Sequence, residues 1–459
     1  MYQTILNALY LVIAFSFVIA LIFNKWRYAL IIFIAAIPLK HVYITIAGHY
    51  LELWKLLSLV SLPITLRYFL IIYSRMQHIR LLFIYLILAL MSSFTGPLVV
   101  SLMQGIPEID LSLRTIFTQL VQLVSFLNLS ILPLALSAYN PITLKQAFIA
   151  YILVTFLLAV LGLLQYLVYQ TGGVNIFPIP RIGEDVQEEV LLNYIGDVRT
   201  EGLFRVTSLS MEPKNLAFYL AASMIFLYEL RQAYARPVFS QLFDVVAILV
   251  MFLCLMLTYS SLGLAVLGAY VLILLIFKLQ RAFFLTILFI IVFFLLSVTG
   301  MMDLFVQIIG GRLFDRIAVS GGMEDFDIAT WDFFTQNPIL IFTGIGLGNT
   351  HIVASDYLPW FAEWAYGTRW HAKMGWLYVL AGSGVLGFTF LLSAFWVGIR
   401  YLKKVKSNYE ILTFVQAVLP FFAVLYFIRQ NELAFLMLGC ATAICFQTNF
   451  ARSNKKSSG

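Results

Sequence analysis

Residues 147–169 read AFIAYILVTFLLAVLGLLQYLVY, a run that contains no charged side chain. An α-helix rises about 1.5 Å per residue, so about 20 apolar residues are enough to cross the hydrocarbon core of a bilayer. The run is too long for a typical strand, which has about five or six residues. It therefore predicts a transmembrane helix.

Comparable apolar runs lie on both sides of this stretch and fill most of the chain. Apolar side chains make up 62% of the 459 residues and charged side chains 11%, whereas soluble domains carry about 25% charged residues. The sequence predicts an all-α integral membrane protein, a single polytopic helical bundle over residues 1–459 with about 12–13 transmembrane helices. The lower count applies if the region 28–60, which Pro38 and Lys40 interrupt, holds one span fewer. The expected spans are 4–23, 28–47, 53–73, 81–103, 114–138, 147–169, 215–230, 241–259, 262–279, 283–299, 374–398, 411–428 and 433–447.

Charge distribution indicates the orientation of these spans. Basic residues gather in alternate gaps, from Lys25 and Arg27 to Arg400 and Lys403. The positive-inside rule puts these gaps and the C-terminus in the cytoplasm, and the N-terminus outside. The net charge of +7 follows from this pattern and does not indicate a nucleic-acid partner. The three cysteines lie in apolar runs without metal-ligand spacing, so we expect them to be buried.

Two outward-facing gaps are much longer than the others, at 170–214 and 300–373. Loops above about 15 residues are uncommon unless they carry function. In the first loop Arg199, Arg205 and Lys214 precede a helix that opens at Asn215, and cations beside a helix N-terminus favour phosphate binding. Anchoring at the membrane surface is the alternative interpretation of the same cations.

The second loop offers two further groups of charged residues. Arg312 and Arg316 share one face of a helix, and the planar guanidinium of arginine binds two phosphate oxygens at once, although an ion pair with nearby acids is the alternative. Asp325 and Asp327 form a D-x-D pattern, which holds a divalent metal in some glycosyltransferases. Because the amphipathic stretch IATWDFF follows, we favour the interpretation that these acids cap a surface helix.

The end of the second loop combines glycines, tryptophans and a histidine. The sequence GIGLGN at 344–349 follows no βαβ unit, so it predicts a tight turn rather than a nucleotide site. Trp331, Trp360, Trp364, Trp370 and Trp376 indicate an interfacial aromatic belt, a platform for sugar rings, or both. His371 lies between two cations, Arg369 and Lys373, so we expect a neutral imidazole that can accept a proton from a hydroxyl.

These loops resemble the bacterial O-antigen polymerase and O-antigen ligase superfamily over roughly residues 150–400. The resemblance rests on RVTSLSMEPKNLAFYL at 205–220, NPILIFTGIGLGN at 337–349 and WHAKMGWLYVLAGSGVLG at 370–387, in which Gly384 and Gly387 form a GxxG pair. It departs from the family pattern in three places. His371 stands two residues further from GVLG than expected, with Lys373 nearer, an arginine before Trp331 is missing, and TYSSLG at 258–263 lacks the family's arginine.

The resemblance implies a GT-C-like fold and a metal-independent, inverting glycosyltransferase without a cofactor. It would act at the periplasmic face of the inner membrane on a glycan linked to undecaprenyl pyrophosphate, with the bilayer and a chain-length regulator protein as further partners. Arg205 and Arg312 or Arg316 would hold the pyrophosphate, and His371 would assist the acceptor hydroxyl. The remaining substrate-binding candidates are Arg199, Lys214, Asn215, Arg369, Trp370 and Lys373.

The polymerase branch is our preferred expectation for this chain. A ligase that transfers the glycan to lipid A–core is the first alternative. A transporter of polysaccharide or lipid-linked oligosaccharide is the second, although transporters carry ionisable residues near mid-membrane and these spans hold few.

Overall fold

The fold is described from a computed structural model, which covers residues 2–39, 42–46, 49–104, 113–137, 141–172, 175–176, 199–200, 203–210, 212–277, 323–347, 349–358, 371–405 and 410–457. Helices dominate these residues. They are α1 (Tyr2–Ile22), α2 (Trp26–Ala36), α3 (Leu53–Arg75), α4 (Gln77–Gln104), α5 (Leu113–Leu129), α6 (Leu132–Ser137), α7 (Pro141–Gly172), α8 (Pro213–Tyr234), α9 (Gln241–Leu257), α10 (Ser261–Phe277), α11 (Asp325–Gln336), α12 (Leu340–Thr343), α13 (Thr350–Val353), α14 (Gly375–Lys404), α15 (Glu410–Ile428) and α16 (Leu433–Ser457).

Two short antiparallel hairpins accompany the helices. In the first, β1 (Tyr43–Ile46) pairs with β2 (His49–Glu52), and in the second, β3 (Arg199–Thr200) pairs with β4 (Leu203–Phe204). Within the described ranges, six helical segments are long and apolar enough to cross a membrane. They are Thr4–Ile22, Leu53–Arg75, Gln77–Leu102, Ile142–Gly172, Gly375–Lys404 and Glu410–Ile428. The expectation of a helical, multi-pass membrane protein is confirmed at this level.

The predicted span 28–47 is wrong in its second half. Helix α2 ends at Ala36, a single 3₁₀ turn covers Ile37–Leu39, and the chain then forms the β1–β2 hairpin. Pro38 lacks the N–H that a continuing helix needs, and the sequence YITI that follows is rich in β-branched residues, which favour a strand. The segment therefore changes from helix to hairpin within the predicted span.

The predicted span 114–138 is also interrupted. Helix α5 ends at Leu129 and the short helix α6 begins at Leu132, immediately before Pro133. A proline is tolerated in the first turn of a helix but not in its interior, so the chain restarts the helix there. The predicted span 283–299 lies outside the described residues.

The chain divides into two compact units, of which the first comprises Met1–Leu57 and Lys145–Asp315. Helix α8 is the centre of this unit, because every residue from Leu216 to Leu230 is buried. It packs against α9 and α10. Its one buried acid, Glu229, accepts a hydrogen bond from the hydroxyl of Tyr270 on α10.

The second unit comprises Ser58–Leu144 and Arg316–Gly459, and α14 is its central helix. Helix α14 packs along α4 and also against α15 and α16. It is not continuous, because Gly384 has φ 65° and ψ −175°, which breaks the helix. The break frees the carbonyl of Ala381, which accepts hydrogen bonds from the amides of Ile345 (2.8 Å) and Gly346 (3.1 Å).

The GIGLGN segment fills this break, and the predicted tight turn is confirmed. Gly344 and Gly346 have φ angles of 71° and 88°, which only glycine adopts without strain. A Cβ atom on Gly346 would lie 2.3 Å from the Cα of Ser93 on α4. The side-chain amide of Asn349 donates to the carbonyls of Ser93 (3.1 Å) and Ile345 (2.8 Å). The turn is therefore wedged between α4 and the broken centre of α14.

We expect Gly346→Ala to destabilise the protein by at least about 2 kcal/mol, because it adds backbone strain and a clash with the backbone of α4. Thermal unfolding in detergent should show the lower melting temperature. Gly268→Ala is the matched control, because a Cβ at Gly268 on α10 meets nothing within 4 Å. The control should be neutral or slightly stabilising, since a helix with alanine at an interior position is more stable than one with glycine by roughly 0.5–1 kcal/mol. Equal melting temperatures for the two variants would contradict this account of the turn.

Candidate functional site

The first candidate region is the largely buried segment 204–210 that precedes α8 in the first unit and ends in a 3₁₀ turn, Ser208–Ser210. Gln165 on α7 holds it in place with all the hydrogen-bonding capacity of its amide. The Gln165 Oε1 atom accepts from the amides of Thr207 (3.0 Å) and Ser208 (2.8 Å). Its Nε2 atom donates to the hydroxyl of Thr207 (3.0 Å) and to Oδ1 of Asn175 (2.9 Å). Buried backbone of this kind is stable in a membrane protein only when its polar groups are paired within the protein.

Arg205 lies in this segment and contacts the C-terminal end of α9. Its Nε atom donates to the carbonyl of Thr258 (3.0 Å) and its Nη2 atom to the carbonyl of Tyr259 (3.4 Å). The neighbouring amide of Val206 donates to the carbonyl of Leu257 (3.1 Å). A cation at a helix C-terminus also interacts favourably with the helix dipole. Arg205 is thus half-buried at the C-terminal end of α9, and two nitrogens of its guanidinium group donate to backbone carbonyls.

The start of α8 carries the other two described candidates of this unit. Lys214 forms an ion pair with Glu212 (3.1 Å), and the side-chain amide of Asn215 donates to the same carboxylate (3.1 Å). Glu212 is the N-cap residue of α8. In this structure a carboxylate of the chain itself therefore neutralises the cation at the helix N-terminus, where we predicted phosphate.

Backbone strain marks the same segment. Ser208 has φ 51°, a left-handed conformation that costs of order 1–3 kcal/mol in a residue other than glycine. The hydroxyls of Ser208 and Ser210 are buried and have no hydrogen-bond partner within the described part of the chain. Strain of this kind persists only where surrounding contacts hold it, and Gln165 supplies them.

We expect Gln165→Leu to destabilise the protein, because it leaves the buried amides of Thr207 and Ser208 without an acceptor. Each unsatisfied group costs about 1–3 kcal/mol. Thermal unfolding measures the loss. Gln170→Leu, five residues further along the same helix, is the control because its side chain is exposed. A melting temperature unchanged in both variants would show that Gln165 does not hold the segment.

The second candidate region is the start of α14 in the second unit, where His371 and Lys373 lie. The carboxylate of Asp327 is 1% exposed and its Oδ1 atom accepts from the amides of Lys373 (2.6 Å) and Met374 (2.8 Å). Its Oδ2 atom accepts from the amide of Glu324 (3.0 Å). Both oxygens of this acid are therefore bound to backbone amides.

The predicted helix-capping role is confirmed for Asp327, which lies in the first turn of α11. Glu324 and Asp327 form a reciprocal capping box, in which each side chain accepts from the backbone amide of the other. Burial raises the pKa of the Asp327 carboxyl above its ordinary value, while hydrogen bonds from Met374, Glu324 and Lys373 oppose that shift. This geometry leaves Asp327 with a structural task and does not fit a D-x-D metal ligand.

His371 and Lys373 lie against aromatic rings. The ring of His371 meets the ring of Tyr378 edge to face, with centroids 5.3 Å apart, and the Tyr378 hydroxyl accepts from the side-chain amide of Gln122 (2.9 Å). The Lys373 ammonium lies 5.4 Å from the centroid of Phe326.

Two of the predicted tryptophans lie beside this region. Trp331 and Trp376 pack edge to face, with centroids 5.8 Å apart, and Trp331 is 38% exposed. The pair provides an accessible indole surface where α14 begins, which suits either an aromatic belt or a sugar platform.

The turn between α15 and α16 was not predicted from the sequence. The side-chain amide of Gln430 donates to the carbonyl of Ala372 (3.0 Å), and Arg429 forms an ion pair with Glu324 (3.2 Å). The adjacent Asn431 and Glu432 are buried, at 3% and 4% exposure. The four consecutive polar residues RQNE between two apolar runs were the available signal, because buried polar groups need partners.

The remaining predicted site residues are placed only in part. The backbone of Arg199 pairs with Phe204 in the second hairpin, but its side chain lies outside the described part, as do Arg312, Arg316, Arg369 and Trp370. Arg205, Lys214 and Asn215 belong to the first unit, and His371 and Lys373 to the second. Convergence of Arg205 and His371 on one site stays a prediction.

Six segments of the described residues are helices long and apolar enough to cross a membrane, which indicates a multi-pass, helical membrane protein. Comparison with protein families, with curated proteins and with solved structures finds no match for this chain.

Proposed function

We propose that this protein polymerises lipid-linked oligosaccharide repeat units of an O-antigen or exopolysaccharide. It would transfer the glycan from undecaprenyl pyrophosphate to a sugar hydroxyl at the periplasmic face of the bacterial inner membrane. The observation that carries the proposal is the start of α14, where an imidazole and an ammonium lie close in sequence on a backbone fixed by a buried carboxylate. The sequence resemblance supplies the reaction.

The proposed reaction is a displacement at the anomeric carbon, to which the protein contributes a proton acceptor, positive charge and alignment of the two sugars. The acceptor hydroxyl attacks the anomeric carbon, the bond from that carbon to the pyrophosphate oxygen breaks, and the configuration inverts. Undecaprenyl pyrophosphate leaves with the bonding electron pair, and His371 takes the hydroxyl proton. Such proton transfer contributes about 10²–10⁴-fold in rate. The cations neutralise the charge that develops on the leaving phosphate, and the site aligns the two sugars.

Arg205 is assigned to the donor side. Its half-buried guanidinium at the end of α9 is held by two carbonyl contacts, which limit its motion. A preorganised cation stabilises developing charge without reorganisation during the reaction. Arg312 and Arg316 are the proposed second and third cations, and Lys214 and Asn215 would contribute if the donor displaces Glu212 from them.

The broken helix α14 is also a feature of transporters, where unwound backbone binds substrate. Here the carbonyl of Ala381 at the break accepts from Ile345 and Gly346, and Gly384 packs against the backbone of Phe342. The GIGLGN turn therefore occupies the break and satisfies that carbonyl. This favours glycan transfer over transport.

We expect full activity of the purified protein in excess EDTA, because the charge of the leaving group is neutralised by cationic side chains. Asp327 supports this expectation, since both its oxygens are committed to backbone amides. Polymer length measured with and without EDTA gives the comparison. A complete loss of activity that Mg²⁺ or Mn²⁺ reverses would contradict metal-independent transfer.

Deletion of the gene in its host tests the proposal and separates it from the two alternatives. A missing polymerase leaves surface glycans that are one repeat unit long. Loss of a ligase instead leaves long glycans on undecaprenyl pyrophosphate and none on lipid A–core, and loss of a flippase leaves single lipid-linked units on the cytoplasmic side. Either of the latter two results would overturn the proposed function.

A further inference from the structure

We infer that Asp327 is a positioning residue that fixes the peptide following His371, and so sets where the imidazole stands at the start of α14. The inference rests on the proposed function for its effect on catalysis. Its structural part rests on contacts that are independent of any substrate.

The first contact set is the carboxylate of Asp327 itself. It joins the N-terminus of α11 to the backbone just before α14, because one oxygen accepts from Lys373 and Met374 and the other from Glu324. Hydrogen bonds from amides to a carboxylate are roughly twice as strong as those between neutral groups. A negative charge at this position also interacts favourably with the positive end of the α14 dipole.

The second contact set holds the same peptide from the other side. The amide of Gln430 donates to the carbonyl of Ala372, and Met374 forms a backbone bridge with Arg429. Arg429 in turn pairs with Glu324, one turn of helix from Asp327. Residues 372–374 are therefore fixed between α11 and the α15–α16 turn.

Close backbone packing removes the remaining freedom at this point. A Cβ atom on Gly375 would lie 1.7 Å from the carbonyl oxygen of Tyr426, so α14 begins directly against α15. With the backbone fixed, the ring of His371 is directed onto Tyr378, which Gln122 anchors. The position of the imidazole thus depends on a backbone that Asp327 and Gln430 hold.

Asp327 acts through His371 rather than on the substrate. Its carboxylate is buried and accepts three hydrogen bonds from backbone amides, so it is not accessible to an acceptor hydroxyl or a metal ion. The side chain of Asp325, two residues earlier in the same D-x-D pattern, makes no hydrogen bond or ion pair with the described residues. Substitution of Asp327 therefore tests the inference, and the same substitution of Asp325 is its matched control.

The kinetic experiment compares Asp327→Asn with Asp325→Asn in the purified, full-length enzyme. In Asp327→Asn an amide N–H₂ replaces one acceptor and faces a backbone donor, so we expect kcat to fall by roughly 10- to 100-fold, as a displacement of about 1 Å does. KM for the lipid-linked donor should change by less than about twofold, because uniform binding is untouched. Asp325→Asn should match the wild type.

Two further measurements separate positioning from general stability. In a His371→Ala background, Asp327→Asn should cause no further fall in the residual rate of transfer, measured with excess enzyme. A spin label at His371→Cys, with the three buried native cysteines replaced by alanine, should become more mobile with Asp327→Asn and not with Asp325→Asn. The label reports position without any reaction, so it distinguishes failure of this inference from failure of the proposed function.

Each outcome bears on the inference. Wild-type kcat and unchanged label mobility in Asp327→Asn would overturn it, and so would equal, Mg²⁺-reversible losses in both Asp variants. If Asp327→Asn does not fold, Gln430→Ala removes the second contact of the same peptide and should give the same fall in kcat and the same gain in mobility. An unchanged label in Gln430→Ala would then overturn the inference. Full activity in His371→Ala would refute the acceptor role of His371 while leaving the label measurement decisive for position.

Discussion

His371→Ala is expected to abolish polymer formation while leaving the amount of folded protein normal. If the imidazole takes the proton of the acceptor hydroxyl, its loss costs about 10²–10⁴ in rate. The side chain is half-buried and packs edge to face on the ring of Tyr378, whereas the neighbouring backbone is held by Asp327 and Gln430. These backbone contacts survive removal of the imidazole, so we expect the variant to fold. Gel analysis of glycan length, alongside quantified membrane protein, measures both parts of the expectation.

Lys373→Ala is the control for this prediction, because Lys373 holds the position nearer to the family's usual spacing. Its backbone amide binds Asp327, and this contact survives the substitution. The substitution removes the contact of the ammonium with the ring of Phe326. If His371→Ala still gives full-length polymer and Lys373→Ala does not, the acceptor role belongs to Lys373.

Arg205→Lys is expected to be nearly as damaging as Arg205→Ala, with a loss of about 10²–10³ in rate. The guanidinium donates through two different nitrogens to Thr258 and Tyr259, and a lysine ammonium cannot reproduce this fork. A lysine would therefore lose both the orientation of the charge and the bidentate geometry toward phosphate. Activity per mole of folded protein is the measurement.

Arg236→Lys is the control for Arg205, because Arg236 is exposed and lies over the ring of Tyr234. It should retain wild-type activity and melting temperature. If Arg205→Lys lowers the melting temperature but keeps full activity per folded molecule, Arg205 only caps α9. That result would remove it from the donor site.

Long uninterrupted apolar runs were predicted well because length alone distinguishes a span from other buried elements. Helices α3, α4, α7, α14 and α15 cover the corresponding predicted spans. The errors fall where local backbone chemistry interrupts such a run. Pro38 ends α2 before the β1–β2 hairpin, and Pro133 restarts the chain as α6. A hydropathy average does not register either event, because both prolines sit among apolar neighbours.

The break in α14 could not be predicted from the sequence either. The pair Gly384 and Gly387 reads equally well as a close helix contact, since glycine serves both purposes. Only the structure shows that the GIGLGN turn occupies the gap and satisfies the carbonyl of Ala381. The turn itself was predictable from its glycines, but its partner was not, because the two segments are separated along the chain.

The candidate regions were located from sequence, whereas their supports were not. Basic residues and His371 stand out against apolar surroundings. Gln165 and Gln430 are single amides whose roles depend on residues more than 40 positions away. Asp327 was interpreted correctly as a helix cap, yet its second task, holding Lys373 and Met374, requires the tertiary fold. Polar residues within or between apolar runs are the signal to follow in related sequences.

The central claim is glycan transfer from a polyprenyl pyrophosphate without a metal ion, and reconstitution tests it most directly. Purified protein in lipid vesicles receives a synthetic undecaprenyl-pyrophosphate-linked repeat unit as the only substrate, in EDTA. The account predicts a ladder of products that differ by one repeat unit, with one undecaprenyl pyrophosphate released per bond formed. The account is contradicted if no new glycosidic bond forms, either with this donor alone or after lipid A–core is added, and the donor instead crosses the bilayer.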